Sequence, residues 1–377
     1  MSIKVLHVIN DLSMGGAELM VKRLCFASDP SRARCSVMAI CEHAEEGTAL
    51  FTQGFEERGL NCECLEKKGK AKSPRTIWNL MRHIRRGNYD IVHMHCWSPS
   101  IYGRLAATLV PGTKRVVTIH NRMSPRAVQW EKMLAPLTDH FVACSSETEV
   151  NLRSDCGFSE SRFSRILNGT AGDRTSGVTR SRDEIRKTLG VAPGEQVALV
   201  VARVDVQKAH LDLIEALTRS GKRISKLKVW IVGNDRTEYA DRVRAAISDK
   251  NLGSRVTILG LIEDHEIDEV MKGADLFLLP SIREGMSVAI LEALAAGLPT
   301  VISDLDTNRE VTDDARVGYL TPPGDPVGLA AALDEILGSP EEMSMRGRKA
   351  ADYAAEQFGF DRVVREYTEL YERLLDS

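Results

Sequence analysis

Glu284 and Glu292 bracket the stretch of this chain richest in chemistry, Leu279-Pro280-Ser281-Ile282-Arg283-Glu284-Gly285-Met286-Ser287-Val288-Ala289-Ile290-Leu291-Glu292-Ala293-Leu294-Ala295-Ala296-Gly297. A strand ends at Pro280, a turn carries Glu284, a helix begins about Ser287, and Gly297 stands at the C′ position that stops it. Glu292 is the one charged group on a helix otherwise built of Val, Ala, Ile and Leu. A carboxylate so placed is buried and needs a partner, either a neighbouring Arg or Lys or the hydroxyls of a ligand. The free amides of Gly285, Met286 and Ser287 form an anion site at the helix start. A diphosphate at those amides with a ribose on Glu292 satisfies both features. Arg203 and Lys208, which follow another strand in Val201-Ala202-Arg203-Val204-Asp205-Val206-Gln207-Lys208, suit a diphosphate equally, or a plain surface pair at a helix entry.

The first half of the chain carries a second set. In Asn10-Asp11-Leu12-Ser13-Met14-Gly15-Gly16-Ala17-Glu18 the paired glycines Gly15 and Gly16 open a helix, where backbone amides can approach a phosphate or sugar; the competing reading is a tight turn that binds nothing. A nicotinamide cofactor requires G-x-G-x-x-G here, and that fingerprint is missing, although Glu42 stands where a ribose-binding acid would. Asp90-Ile91-Val92-His93-Met94-His95-Cys96 puts His93 and His95 on one face of a strand, which invites a metal. No second cluster with matching ligand spacing follows, so polar residues at the carboxyl end of a strand are the favoured reading. His120, after Val116-Val117-Thr118-Ile119, is a third histidine in the same kind of place.

These residues are positioned by a regular alternation. Short β-branched runs and longer amphipathic segments succeed each other from end to end, the pattern of parallel sheets wrapped in helices. Strands are expected at residues 4–9, 35–41, 91–95, 115–119 and 140–143, then at 197–202, 228–232, 256–259, 275–279 and 300–302. Between the two sets, Gly169-Thr170-Ala171-Gly172-Asp173-Arg174-Thr175-Ser176-Gly177 has almost nothing apolar to bury and reads as a linker. Tyr353, Phe360, Val364, Tyr367, Leu370, Tyr371 and Leu374 recur at helical spacing, so helices close the chain. The 377 residues, 43% hydrophobic and 27% charged, suit two globular domains. A net charge of −3 gives no general attraction to nucleic acid. The eight cysteines, irregularly spaced and mostly in apolar runs, suit buried reduced thiols without disulfides. The first ten residues lack a signal-peptide pattern and no eighteen-residue stretch is apolar enough for a bilayer, so the expected location is cytoplasmic.

The chain resembles the retaining glycosyltransferases of family 4 over nearly its whole length. Glu284 and Glu292 stand in that family's E-x7-E arrangement, and the likeness extends to Gly15-Gly16-Ala17-Glu18, Asp90 to His95, His120-Asn121, Asn168-Gly169, Arg203 with Lys208, Glu284 to Pro299, and Gly318 to Pro326. The resemblance implies an α/β GT-B fold: two Rossmann-like domains facing across a cleft, with C-terminal helices crossing the junction. It divides the chain into an acceptor-side domain (1–170), a linker (171–182), a domain for the nucleotide-sugar donor (183–352), and helices (353–377) that pack back on the first domain. It further implies diphosphate contacts from Arg203 and Lys208, donor-sugar contacts from Glu284 and the amides of Gly285, Met286 and Ser287, ribose hydroxyls on Glu292, and His120 near the donor sugar. The chain departs from the family in having Ala209 where Gly usually follows the lysine, and Ser287 where Gly is frequent. The activity implied is transfer of a hexose to the hydroxyl of a sugar or lipid-linked acceptor, in cell-surface polysaccharide or glycolipid synthesis. No metal and no cofactor are expected, the nucleotide sugar being a substrate.

Two further features are weighed. Lys67, Lys68, Lys70, Lys72, Arg75, Arg82, Arg85 and Arg86 form a basic run without an intervening acid, suited to anionic lipid at the inner membrane face or, more plainly, a solvated helix and loop. Asp304-Leu305-Asp306 mimics a metal-binding D-x-D, but it directly follows a strand downstream of a complete E-x7-E segment, which argues for coincidence. The rival functions are a nucleotide-sugar epimerase on the same architecture and a non-catalytic sugar-binding subunit. Intact Lys208, Glu284 and Glu292 count against the second rival.

Overall fold

The computed structural model describes residues 2–41, 45–65, 74–219 and 223–376, and these form two α/β units. The first comprises residues 1–169 with 360–377, and the second residues 170–359. Glu42 and the lysines of the basic run at 67, 68, 70 and 72 lie outside the described residues.

In the first unit, strands β1 (Ile3–Ile9), β2 (Ala33–Ala39), β3 (Cys62–Cys64), β4 (Ile91–His95), β5 (Lys114–Ile119), β6 (His140–Ala143) and β7 (Phe163–Arg165) make a parallel sheet in the order β3-β2-β1-β4-β5-β6-β7. The second unit repeats the logic with β8 (Val197–Val201), β9 (Lys228–Val232), β10 (Val256–Gly260), β11 (Leu276–Leu279), β12 (Thr300–Ser303) and β13 (Tyr319–Thr321), ordered β10-β9-β8-β11-β12-β13. Each sheet therefore reverses its order between two central strands, β1/β4 and β8/β11. Loops leaving the carboxyl ends of those strands diverge there, and the crevice they leave is where open α/β sheets take their ligands. The interior strands are nearly continuous apolar runs because helices cover both faces.

The ten expected strands are all present, with ends shifted by up to two residues. β3, β7 and β13 were missing from the sequence reading: each is a three-residue edge strand, too short to show a period of two. The chain passes from the first unit to the second at Gly169/Thr170 and returns at Gly359/Phe360. Residues 353–357 thus finish the helix Pro340–Gln357 in the second unit, and the helix Phe360–Asp376 belongs to the first. The 171–182 segment lies in the second unit.

Alternation divides the first sheet by chemistry. Leu6, Val8, Met38, Val92, Met94 and Val117 belong to an apolar core on one face. His7, opposite His93 in the β1/β4 register, and His95, opposite Thr118 in the β4/β5 register, fall on the other face. The helix Phe360–Asp376 closes that face, with Tyr367 and Tyr371 packed on His93.

Candidate functional site

At the switch point of the second unit, β8 runs into a one-turn helix, Val206–Lys208, capped by the Asp205 side chain, which accepts the Lys208 N–H at 3.2 Å. Lys208 Nζ then donates to both oxygens of Glu284, at 2.6 and 2.9 Å. The Glu284 side chain is almost fully buried, and that of Lys208 largely so. Two more bonds lock this turn to the loop after β11: the Ile282 N–H donates to the Gln207 carbonyl at 2.8 Å, and Gln207 Nε2 donates to the Arg283 carbonyl at 2.9 Å. Ala209 takes the left-handed conformation at φ 53°, which any residue but glycine adopts under strain. The alanine thus keeps the turn that glycine makes more easily.

Beside Glu284 the helix Val288–Ala295 starts at Ser287, whose side chain makes no capping bond. Its first amides are not closed off by that side chain, as a helix start that takes an anion requires. Gly297, at φ 68°, ends the helix as its position suggested. Arg203 stands apart from the pair: it is exposed and its Nε donates to Asp205 at 2.6 Å.

Glu292 is buried, as the apolar helix required, and Arg174 is a partner to it. Arg174 Nη1 donates to Glu292 Oε1 at 2.9 Å, while Arg174 Nε lies 3.0 Å from Asp268 and Nη2 donates to the Asp264 carbonyl at 3.0 Å. Arg174 was read only as part of a linker. The available signal was one arginine in a Gly/Ser/Thr-rich run, but nothing local says which carboxylate it meets 118 residues later.

Gly15, Gly16 and His120 belong to the first unit. Gly15 is the N-cap of the helix Gly16–Ala27, again without a side-chain capping bond, and a Cβ there would run into the Glu18 carboxylate. His120 lines a cavity of about 730 Å³ together with Trp97, Asn121, Arg122, Arg126 and Trp130. Behind it the histidines form a chain: His120 Nε2 lies 3.1 Å from His95 Nδ1, and His95 Nε2 lies 3.1 Å from His7 Nδ1. His93 bonds the Tyr371 hydroxyl through Nδ1 and Thr118 Oγ1 through Nε2, both at 2.7 Å. Burial pushes His120 down to about 4 and holds His93 and His95 well below the ordinary histidine range, neighbouring histidines adding to the effect on the latter two. His93, His95 and His120 are therefore neutral at physiological pH. His7 was missed because one histidine in an apolar strand looks like core until its neighbours are known. All eight cysteines are free thiols, as expected. Asp304 is taken up by Arg309 at 2.5 Å.

Comparison with known proteins now bears on these two units. A family model described as "Glycosyltransferase Family 4" matches residues 14–174, and one described as "Glycosyl transferases group 1" matches residues 181–353. The chain is 28% identical over 259 residues to an Escherichia coli UDP-Gal:alpha-D-GlcNAc-diphosphoundecaprenol alpha-1,3-galactosyltransferase, covering 66% of each chain. It is 25% identical over 310 residues to the phosphatidyl-myo-inositol mannosyltransferase of Mycobacterium tuberculosis (strain ATCC 25618 / H37Rv), covering 81% of this chain and 79% of that one. Among solved structures, Anabaena Alr3699/HepE in complex with UDP-glucose superposes with a TM-score of 0.84 at 20% identity, covering 98% of this chain and 100% of that one.

Proposed function

The chain belongs to the group 1 glycosyltransferases, and from that premise we propose that it moves a hexose from a nucleoside-diphosphate donor to an acceptor hydroxyl, with retention and without a metal. The observation that carries this reading is the Lys208–Glu284 pair at the β8/β11 switch point, next to a helix start with no side-chain cap. In the reading, the diphosphate draws Lys208 toward its oxygens and lies against the amides of Gly285, Met286 and Ser287, with Arg203 swinging from Asp205 to add a second cation. Two cations and a helix dipole offset the charge that grows as the sugar leaves. Glu284 takes donor-sugar hydroxyls and Glu292 the ribose. The bond from the anomeric carbon to the diphosphate oxygen breaks, the bond to the acceptor oxygen forms on the same face, and a diphosphate oxygen takes the acceptor's proton.

A lipid-linked acceptor, in cell-surface polysaccharide or glycolipid synthesis, is the reading favoured by two relatives whose names carry a diphosphoundecaprenol and a phosphatidylinositol acceptor. The helix Pro74–Gly87 supports work at a cytoplasmic membrane face, since it exposes Arg75, Trp78, Arg82, Arg85 and Arg86. Among the described residues no helix is long and apolar enough to cross a membrane. The test is release of free nucleoside diphosphate from a panel of nucleotide sugars. Release only when acceptor is added, unchanged in EDTA, supports the proposal, whereas sugar epimerised without acceptor supports the rival enzyme. Loss of turnover in EDTA, restored by Mn²⁺ and abolished by Asp304→Ala, overturns the metal-free mechanism.

A further inference from the structure

Three soft donors converge beneath the first sheet's histidine face. β1 supplies His7, the last turn of the helix Gly16–Ala27 supplies Cys25, and β2 supplies Cys35. Their ligating atoms lie within 4.8 Å of one another, and all three side chains are buried. His7 Nδ1 is engaged by His95 at 3.1 Å, while the buried His7 Nε2 meets no hydroxyl, amide or carboxylate among the described residues, and the ring's remaining polar neighbour is the Cys35 thiol. A thiol is a weak hydrogen-bond partner for a buried ring nitrogen, and an imidazole with two thiols this close is a ready set of metal ligands. We propose that His7 Nε2, Cys25 Sγ and Cys35 Sγ form a site for a thiophilic divalent cation, Zn²⁺ by the chemistry of the donors.

Two thiolates and an imidazole, with no carboxylate among them, select zinc over magnesium or calcium. The thiolates cancel the cation's charge, so the loaded site is neutral, as a buried position requires, and the two thiol protons are released to solvent on binding. Tetrahedral bonds of about 2.3 Å to sulfur and about 2.0 Å to nitrogen put the donor atoms roughly 3.5–3.8 Å apart. Closing the trio from 4.8 Å or less therefore takes movements of no more than about an ångström. The Ser28 hydroxyl, 3.6 Å from Cys35 Sγ, is the oxygen at hand for a fourth position. The neighbouring trio of His7, His93 and His95 is the poorer site, because both nitrogens of His93 and both of His95 already have partners.

Occupancy has a consequence at a distance. A cation on His7 Nε2 leaves the ring proton on Nδ1, which then donates to His95 Nε2. The neutral His95 must carry its own proton on Nδ1 and donate it to His120 Nε2. His120 is thereby fixed as the Nδ1–H tautomer, so the buried cation dictates which nitrogen of the cavity histidine is protonated.

The experiment uses the full chain purified with reductant and no added metal. Expected are about one equivalent of Zn²⁺ by mass spectrometry and an X-ray absorption first shell containing two sulfurs. With Co²⁺ substituted, a sulfur-to-cobalt charge-transfer band appears. Cys25→Ser and, separately, Cys35→Ser lower Zn²⁺ affinity more than about 100-fold, beyond what losing an outer-shell partner does. Long-range ¹⁵N NMR shows His120 as the Nδ1–H tautomer only in the loaded protein. The absorption measurement needs no variant, so misfolding of a cysteine mutant leaves the test intact. Zn²⁺ well below one equivalent after incubation with excess metal, a shell of oxygen and nitrogen alone, or a Cys25–Cys35 disulfide in the reduced preparation overturns the proposal.

Discussion

The two sheets share a strand order and place opposite electrostatics at the same point of it. In the second unit the β8/β11 end holds fixed ions in close pairs, Lys208 with Glu284 and Arg174 with Glu292. In the first unit the β1/β4 end holds a chain of buried imidazoles, His93, His95 and His120 among them held neutral, backed by tyrosines and a threonine. The difference teaches that the fold supplies a crevice and leaves its charge to a handful of side chains. Ion pairs suit a ligand that arrives and departs as an anion, because each partner has something to exchange. Neutral histidines suit orientation and proton placement, because a buried imidazole keeps one donor and one acceptor.

Acid is the sharpest way to break the comparison. Burial depresses His93, His95, His120 and His140 in the first unit, the last two to about 4, but in the second unit only His210 is similarly depressed among the described residues. A histidine whose folded value lies below its unfolded value of about 6.5 contributes stability that is fully present above that pH and is lost as pH falls toward the folded value. His120 and His140, with folded values of about 4, each remove about 1.4 kcal/mol per pH unit between roughly 6.5 and 4, and His93 and His95 act in the same direction. The first unit should therefore unfold ahead of the second across that window, read by limited proteolysis with mass-spectrometric mapping. Equal loss from both units would show that the histidines are not the cause.

Lys208→Ala tests the ionic side. Turnover should fall on the order of 10²-fold or more, as when a group on the leaving charge is deleted. Circular dichroism should stay native, with melting lowered because Glu284 loses its partner. Unchanged turnover removes Lys208 from the site. Glu292→Gln has a smaller effect with two components. Arg174 keeps Asp268 at 3.0 Å, so the loss of apo stability should be about 1–3 kcal/mol, and nucleoside-diphosphate affinity should fall as well. A melting-point loss with unaltered affinity makes Glu292 a structural ion-pair partner only. The smallest effect expected is Ala209→Gly, which relieves a left-handed backbone and should raise stability by about 1 kcal/mol in a denaturant titration.

Legibility in the sequence followed the range of the interaction. Strands such as Val197–Val201 and Ile91–His95 declared themselves as apolar runs, and the burial of Glu292 followed from its helix neighbours alone. Arg174 as its partner did not, because that contact joins a turn-rich segment to a helix through the fold. The histidine chain was half legible: His93, His95 and His120 stood out at strand ends, while His7 needed the β1/β4 register, and Tyr367 and Tyr371 read simply as an apolar stripe. The basic run illustrates the same boundary, since charge along a sequence does not say which groups a folded helix turns outward.

The return of the chain to its first unit has a bearing on synthesis. On the ribosome, β1 to β7 emerge long before the helix Phe360–Asp376, because residues 170–359 are made in between. The second unit is contiguous and can fold as soon as it is released, whereas the histidine face must wait for Tyr367 and Tyr371. A nascent chain thus holds a partly uncovered polar sheet face through the translation of 190 residues, at 5–20 residues per second roughly 10 to 40 seconds. That face is completed only when the helix Phe360–Asp376 arrives to pack on it.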